Sequence, residues 1–215
     1  MRSINRHVGL LFRMGERYIN RKLAGSGVSS GTGILLLELR DATVPATVVA
    51  SRSALLQRDG DIVGTDGTSS PIFNRAPGNY YLSVRHRNHL GCMSAAALSL
   101  PTTPLQAVNF SSAATNIFGT EARKSIAGTF PTLALWAGNT NFNTEVKYTG
   151  TANDRDPILT TVGSTTPNNL VSGYALHDVN LDGMVLYTGN GNDRDPILVN
   201  VGSTTPNNIR AQQLP

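Results

Sequence analysis

Asp178-Val179-Asn180-Leu181-Asp182-Gly183 is followed closely by Tyr187-Thr188-Gly189 and by Asn192-Asp193-Arg194-Asp195-Pro196-Ile197-Leu198. Oxygen side chains at alternate positions, ending on a glycine, are the pattern with which a backbone wraps a hard cation such as calcium. The glycine permits the sharp turn, and the next residue, Met184, can offer its carbonyl. An ordinary twelve-residue loop would carry an acid where Gly189 stands. The sequence instead runs on to Asp193 and Asp195. Asp195 before Pro196 reads as a helix N-cap and first helical position, where proline's missing N–H costs nothing. This predicts a short helix from Pro196 to about Val201, ending at Gly202. The whole reads as an elongated calcium loop closed by a carboxylate at a helix start, with Asp178, Asn180, Asp182, Met184, Asp193 and Asp195 as ligands. A plain run of turns is the competing reading, because Asp, Asn and Gly dominate turns for steric reasons.

The stretch has an earlier copy. Tyr148 through Leu159 matches Tyr187 through Leu198, and Val162 through Asn169 matches Val201 through Asn208, at a spacing of 39 residues. A period of that size is one supersecondary unit. In the earlier copy the loop positions read Asn139, Asn141 and Asn143, with Thr144 in place of glycine. Neutral amides bind calcium more weakly and threonine lacks glycine's freedom, so a second metal site at Asn139, Asn141, Asn143, Asp154 and Asp156 is expected to be weak or empty. Asp154 and Asp156 also have structural roles open to them, one as a helix cap.

The pattern D-x-N-x-D-G, then Y-T-G, then N-D-R-D-P-I-L, resembles the dockerin-like C-terminal repeats of secreted and surface proteins of Bacteroidota. Ala54–Asp61 and Gly78–Gly91 resemble the β-rich module that precedes such repeats, so the likeness runs from about Leu35 onward. It implies an extracellular or cell-surface location and calcium as the bound ion, more than any activity.

Composition fits that setting. Of 215 residues 40% are hydrophobic, enough for a core, and only 15% are charged, which suits an all-β extracellular protein better than a helical enzyme. The net charge of +4 is concentrated in Arg2, Arg6, Arg13, Arg17, Arg21 and Lys22. A basic arm on a nearly neutral body can be a nucleic-acid tail, but no recognition motif or aromatic surface accompanies it, and no nucleic-acid partner is expected. The arm's apolar residues fit two patterns, Val8, Leu11, Phe12, Tyr18, Ile19 and Leu23 at helical spacing, or Val8, Leu10, Phe12 and Met14 alternating as a strand. The apolar run is too short for a secretory signal, and no stretch is long enough to cross a membrane.

Residues 25–33 read as a Gly/Ser linker. Gly27–Gly31 spells a nucleophile elbow, but a loop precedes it where a strand is required. Beyond it, Ile34–Leu39, Ala46–Ser51, Ala54–Gln57, Tyr80–His86, Ser94–Leu100 and Leu105–Phe110 are strand candidates separated by Pro, Asp-Gly and Pro-Gly breaks. The expected organisation is an N-terminal arm (1–24), the linker (25–33), a β-sandwich (34–136) and two loop and short-helix repeats (137–215). Asp59, Asp61 and Asp66 read as turn formers, and His86 and His89 as surface or core residues rather than a metal pair. Cys92 is alone, so stability rests on packing rather than cross-links.

No catalytic constellation stands out. The first expectation is therefore a non-enzymatic subunit of an extracellular, pilus-like homopolymer. Copies would join head to tail through Val8, Leu10, Phe12 and Met14, added as a strand to the next copy's sheet, and calcium would rigidify the repeats. The alternative is a monomeric calcium-stabilised adhesion or anchoring module with a protein or glycan partner.

Overall fold

The computed structural model describes residues 8–13, 33–57, 60–101, 106–127 and 132–215, with the backbone alone for 8–13. The fold is all-β: strands dominate, and the two helices among the described residues have eight residues each. Two compact units are present. The first comprises residues 1–86, 91–134 and 213–215, the second residues 87–90 and 135–212.

The first unit is organised on β2 (Gly33–Asp41), paired antiparallel with β3 (Val48–Leu56) on one side and β6 (Gly78–His86) on the other. Alternation along β2 sends Leu35, Leu37 and Leu39 into the core, none more than 1% exposed, and turns Ile34 and Leu36 outward. Glu38 and Arg40 share the outward parity yet are buried, which requires pairing. Arg40 Nε and Nη2 donate to Glu38 Oε2 at 3.0 and 2.7 Å, and Arg85 Nε lies 3.2 Å from Glu38 Oε1. Leu82, Val84, Cys92, Met93, Leu100, Phe73 and Phe110 complete this core. Burial pushes the Cys92 thiol up to about 12, so it packs as a small apolar group.

The arm's strand pattern is realised over Val8–Arg13, here β1. β1 pairs antiparallel with β4 (Asp61–Val63) and β5 (Ile72–Phe73) and parallel with β9 (Gln106–Asn109), all of the same chain. Val8, Leu10 and Phe12 lie on this strand; Met14 and the Gly27–Gly31 motif lie outside the described residues. Two expected strands, Ala46–Ser51 and Ala54–Gln57, are the single strand β3, because no Gly or Pro interrupts Val48–Leu56. The expected strand Ser94–Leu100 is instead β7 (His89–Met93) and β8 (Leu98–Leu100), the break falling where Ser94 Oγ donates to Ala96 O. His86 and His89 flank the turn between β6 and β7. Asp66 forms the expected turn, accepting from Thr68 and Ser69 N–H and the Ser69 hydroxyl, which hold its carboxyl down to about 2.

The second unit is the repeat. β12 (Glu145–Lys147), α1 (Arg155–Val162) and β13 (Leu170–Ser172) recur 39 residues later as β14 (Met184–Leu186), α2 (Arg194–Val201) and β15 (Ile209–Ala211). Two-turn helices do not hold in water alone. These bury Ile158 and Val162, and Ile197 and Val201, at i and i+4, with Val146, Val185 and Val179 in one shared core. The strands cross between copies: β12 pairs with β15 and β13 with β14, both antiparallel. Each copy thus supplies the other's edge partner, a closed pseudo-two-fold arrangement that one repeat could not form alone.

Candidate functional site

The two loops of the second unit share one backbone path. In the second, Asp178 Oδ1 accepts from Asp182 N–H and Oδ2 from Gly183 N–H, both at 3.0 Å. Asn180 Oδ1 accepts from Asp182 N–H at 2.9 Å and Asp182 Oδ1 from Met184 N–H at 3.0 Å. In the first, Asn141 Oδ1 accepts from Asn143 N–H at 3.1 Å and Asn143 Oδ1 from Glu145 N–H at 2.7 Å. The fourth residue of each loop, Phe142 and Leu181, has φ +60°, a left-handed conformation that costs a bulky residue on the order of 1–2 kcal/mol.

Asp193 and its counterpart Asp154 hold these loops from below. Asp193 Oδ1 accepts from Val179 and Asn180 N–H at 2.7 and 3.2 Å, and Oδ2 from Leu186 N–H at 2.8 Å. Asp154 does the same with Thr140, Asn141 and Lys147 N–H at 2.8, 3.4 and 2.7 Å. Both are 0% exposed. Burial pushes their carboxyls up, Asp154 to about 6 and Asp193 to about 7, against the pull of those N–H donors. Their carboxylates do what a central anion does in a nest of backbone donors.

Of the other expected ligands, Asp193 and Asp154 accept backbone N–H groups through both oxygens, Asp195 is paired with Asn192, and Asp156 is paired with Asn153 beside Asn141 and Asn143. The helices also begin two residues earlier than expected, at Arg194 and Arg155. Neither Asp195 nor Asp193 caps α2 with its side chain. Asn192 does so, its Oδ1 accepting from Arg194 and Asp195 N–H while its Nδ2 donates to Asp195 Oδ2 at 2.9 Å, a reciprocal box. Asn153 and Asp156 repeat it. Pro196 and Pro157 then fall third in the helix, still in the first turn, where no intrahelical donor is needed. The expected end at Gly202 holds, and α1 ends in the same way at Gly163.

Asp178, Asn180 and Asp182 are joined through the Asp182 N–H, which both of the others accept, and Asp193 lies beneath them. Among the described residues no three His, Cys, Asp or Glu side chains gather closely enough to hold a metal. Oxygens of this hard class nevertheless suit calcium, and an oxygen that accepts one N–H keeps a further lone pair for a cation. Arg87 stands against this: its Nη2 lies 3.6 Å from Asp178 Oδ2 and its guanidinium stacks 3.8 Å from the Tyr174 ring centroid. Burial raises the Asp178 carboxyl, opposed by Gly183 N–H and Arg87. In the first loop Asn139 Nδ2 donates to Asn143 O at 2.7 Å, while its buried Oδ1 has no hydrogen-bond partner among the described residues.

Reciprocal contacts lock the copies. Thr149 Oγ1 donates to Asn207 Oδ1 and Thr188 Oγ1 to Asn168 Oδ1, both at 2.6 Å; within each copy, Arg155 stacks 4.5 Å from the Tyr148 ring centroid and Arg194 4.5 Å from that of Tyr187. An open cleft beside the first loop is lined by Asn141, Asn143, Asn153, Asp156, Thr161 and His177 together with Ala152 and Pro157, and more of its surface is apolar than polar. Sequence reasoning missed Arg87, Asn192 and the Asp193 keystone. The signal was present: N-D-R-D recurs unchanged in both copies while two of the three loop positions, Asn139/Asp178 and Asn143/Asp182, change around it.

No family model and no curated protein matches the chain. Among solved structures it is similar to a chain of a type II cohesin–X-dockerin complex from Acetivibrio cellulolyticus, a C-terminal interface mutant. Identity is 16%, with 90% of this chain and 94% of that chain covered, at a TM-score of 0.40. No helix among the described residues is long and apolar enough to cross a membrane.

Proposed function

We propose that this chain is a non-catalytic adhesion or anchoring module of the cell surface or extracellular space. The observation that carries it is the closed pair of repeats, in which two copies exchange strands and lock reciprocally to present a rigid loop-and-helix surface. Calcium held by Asp178, Asn180, Asp182 and the Met184 carbonyl would stiffen the second loop. The partner is another protein, or a glycan in the cleft beside the first loop, where Ala152 and Pro157 offer an apolar face and the amides, hydroxyls and carboxylate around it suit a polyol. The resemblance of the loops to dockerin-like repeats of Bacteroidota surface proteins supports the same reading.

A second reading is a head-to-tail fibre. It draws on β1, which pairs on both edges with strands distant in sequence, the arrangement a donated strand would also take. Sedimentation of the intact chain and of a chain lacking residues 1–24, in calcium and in chelator, separates the two. The anchoring module calls for a monomer in every condition for the intact chain. Polymers that vanish with the arm would replace it by the fibre.

A further inference from the structure

The first unit contains, besides its sheet, the short segment Gln213-Leu214-Pro215. Its seat is built from three places far apart in sequence. Gln213 Oε1 accepts the backbone N–H groups of both Thr120 and Glu121, the second at 3.1 Å. Gly119, at φ +84°, makes room for it: a Cβ there would stand 1.8 Å from Gln213 Oε1. Leu214 lies over Gly91, where a Cβ would come within 3.0 Å of Leu214 Cδ1. Arg40, 3% exposed and fixed on Glu38, donates through Nη1 to Pro215 O at 3.5 Å.

Each residue of the segment therefore meets a feature shaped for it. A side-chain carbonyl takes two adjacent N–H groups, an aliphatic side chain covers a position without a Cβ, and a backbone carbonyl reaches a guanidinium already held in place by a buried carboxylate. We propose that this seat is a peptide-binding site of the first unit, specific for the sequence Gln-Leu-Pro and occupied by the chain's own residues 213–215. Asparagine at the first position would be one methylene short of the paired donors. The segment is a clasp in cis, where tethering gives it a high effective concentration. A peptide of the same sequence competes for the seat once the clasp is removed.

The probe is a fluorescently labelled Arg-Ala-Gln-Gln-Leu-Pro peptide, titrated against the intact chain and a chain ending at Gln212, with polarisation as readout. The shortened chain should bind saturably below about 1 mM, and the intact chain at least tenfold more weakly. Changing the glutamine next to leucine to alanine should abolish binding. In the intact chain, Gln213→Ala should speed amide exchange at Thr120 and Glu121 at least tenfold, a reading that needs no truncation. No binding to a shortened chain that melts as the intact one does, or exchange unmoved by Gln213→Ala, overturns the assignment.

Discussion

Asn139 and Asp178 occupy the same position of two loops that follow the same path, yet one loop carries three amides and the other two acids and an amide. The loops keep their shape because at the third and fifth positions side-chain oxygens accept N–H groups, which amides and carboxylates both do, while at the first position Asn139 holds its loop by donating to Asn143 O where Asp178 accepts from Asp182 and Gly183 N–H. Both are held by an identical buried aspartate. The comparison teaches that the pseudo-two-fold scaffold is built by hydrogen bonds, so that the cation we propose for the second loop would be an addition to it.

The heaviest blow to that symmetry is removal of the keystones. Asp193→Ala and Asp154→Ala each orphan three backbone N–H groups, and each should cost about 3 kcal/mol, given ~1–3 kcal/mol for each buried group left unsatisfied. Chemical denaturation should show the two losses alike within about 1 kcal/mol. A near-neutral result at either site would mean that its loop is held by something else.

Acidity gives a smaller effect. Folding raises both carboxyls from near 4 to about 6 for Asp154 and about 7 for Asp193, so protons are taken up on folding between those limits. The stability these groups contribute is full below about pH 4 and is lost as pH rises through 6 and 7. Melting of the repeats should therefore be favoured at pH 8 over pH 5.5, and Asp193→Asn should flatten that dependence. The smallest effect is at the loop tips. Phe142 is 59% exposed and held at φ +60°, so Phe142→Gly should relieve strain and raise stability by about 1 kcal/mol, read from the melting midpoint.

The sequence makes some of this legible and hides the rest for physical reasons. The 39-residue period, the glycine-ended helices and the strands over β2 and β6 follow from local pattern, and local pattern survives folding. The role of Asp193 does not, because a carboxylate that binds a metal and one that gathers backbone N–H groups look the same in a string of letters. The crossing of β12 with β15 is equally hidden, since three-residue strands carry no register of their own. Arg87 was beyond reach for another reason: it comes to Asp178 from a turn 91 positions earlier in the chain.

Calorimetric titration of calcium into the intact chain tests the account most directly, alongside Asp178→Asn with Asp182→Asn and, separately, Arg87→Met. The account predicts one binding event, abolished by the double change and strengthened when the Arg87 charge is removed. Absence of heat in both the intact chain and Arg87→Met, with melting unmoved by calcium, would contradict it and leave the second loop, like the first, a structure of hydrogen bonds alone.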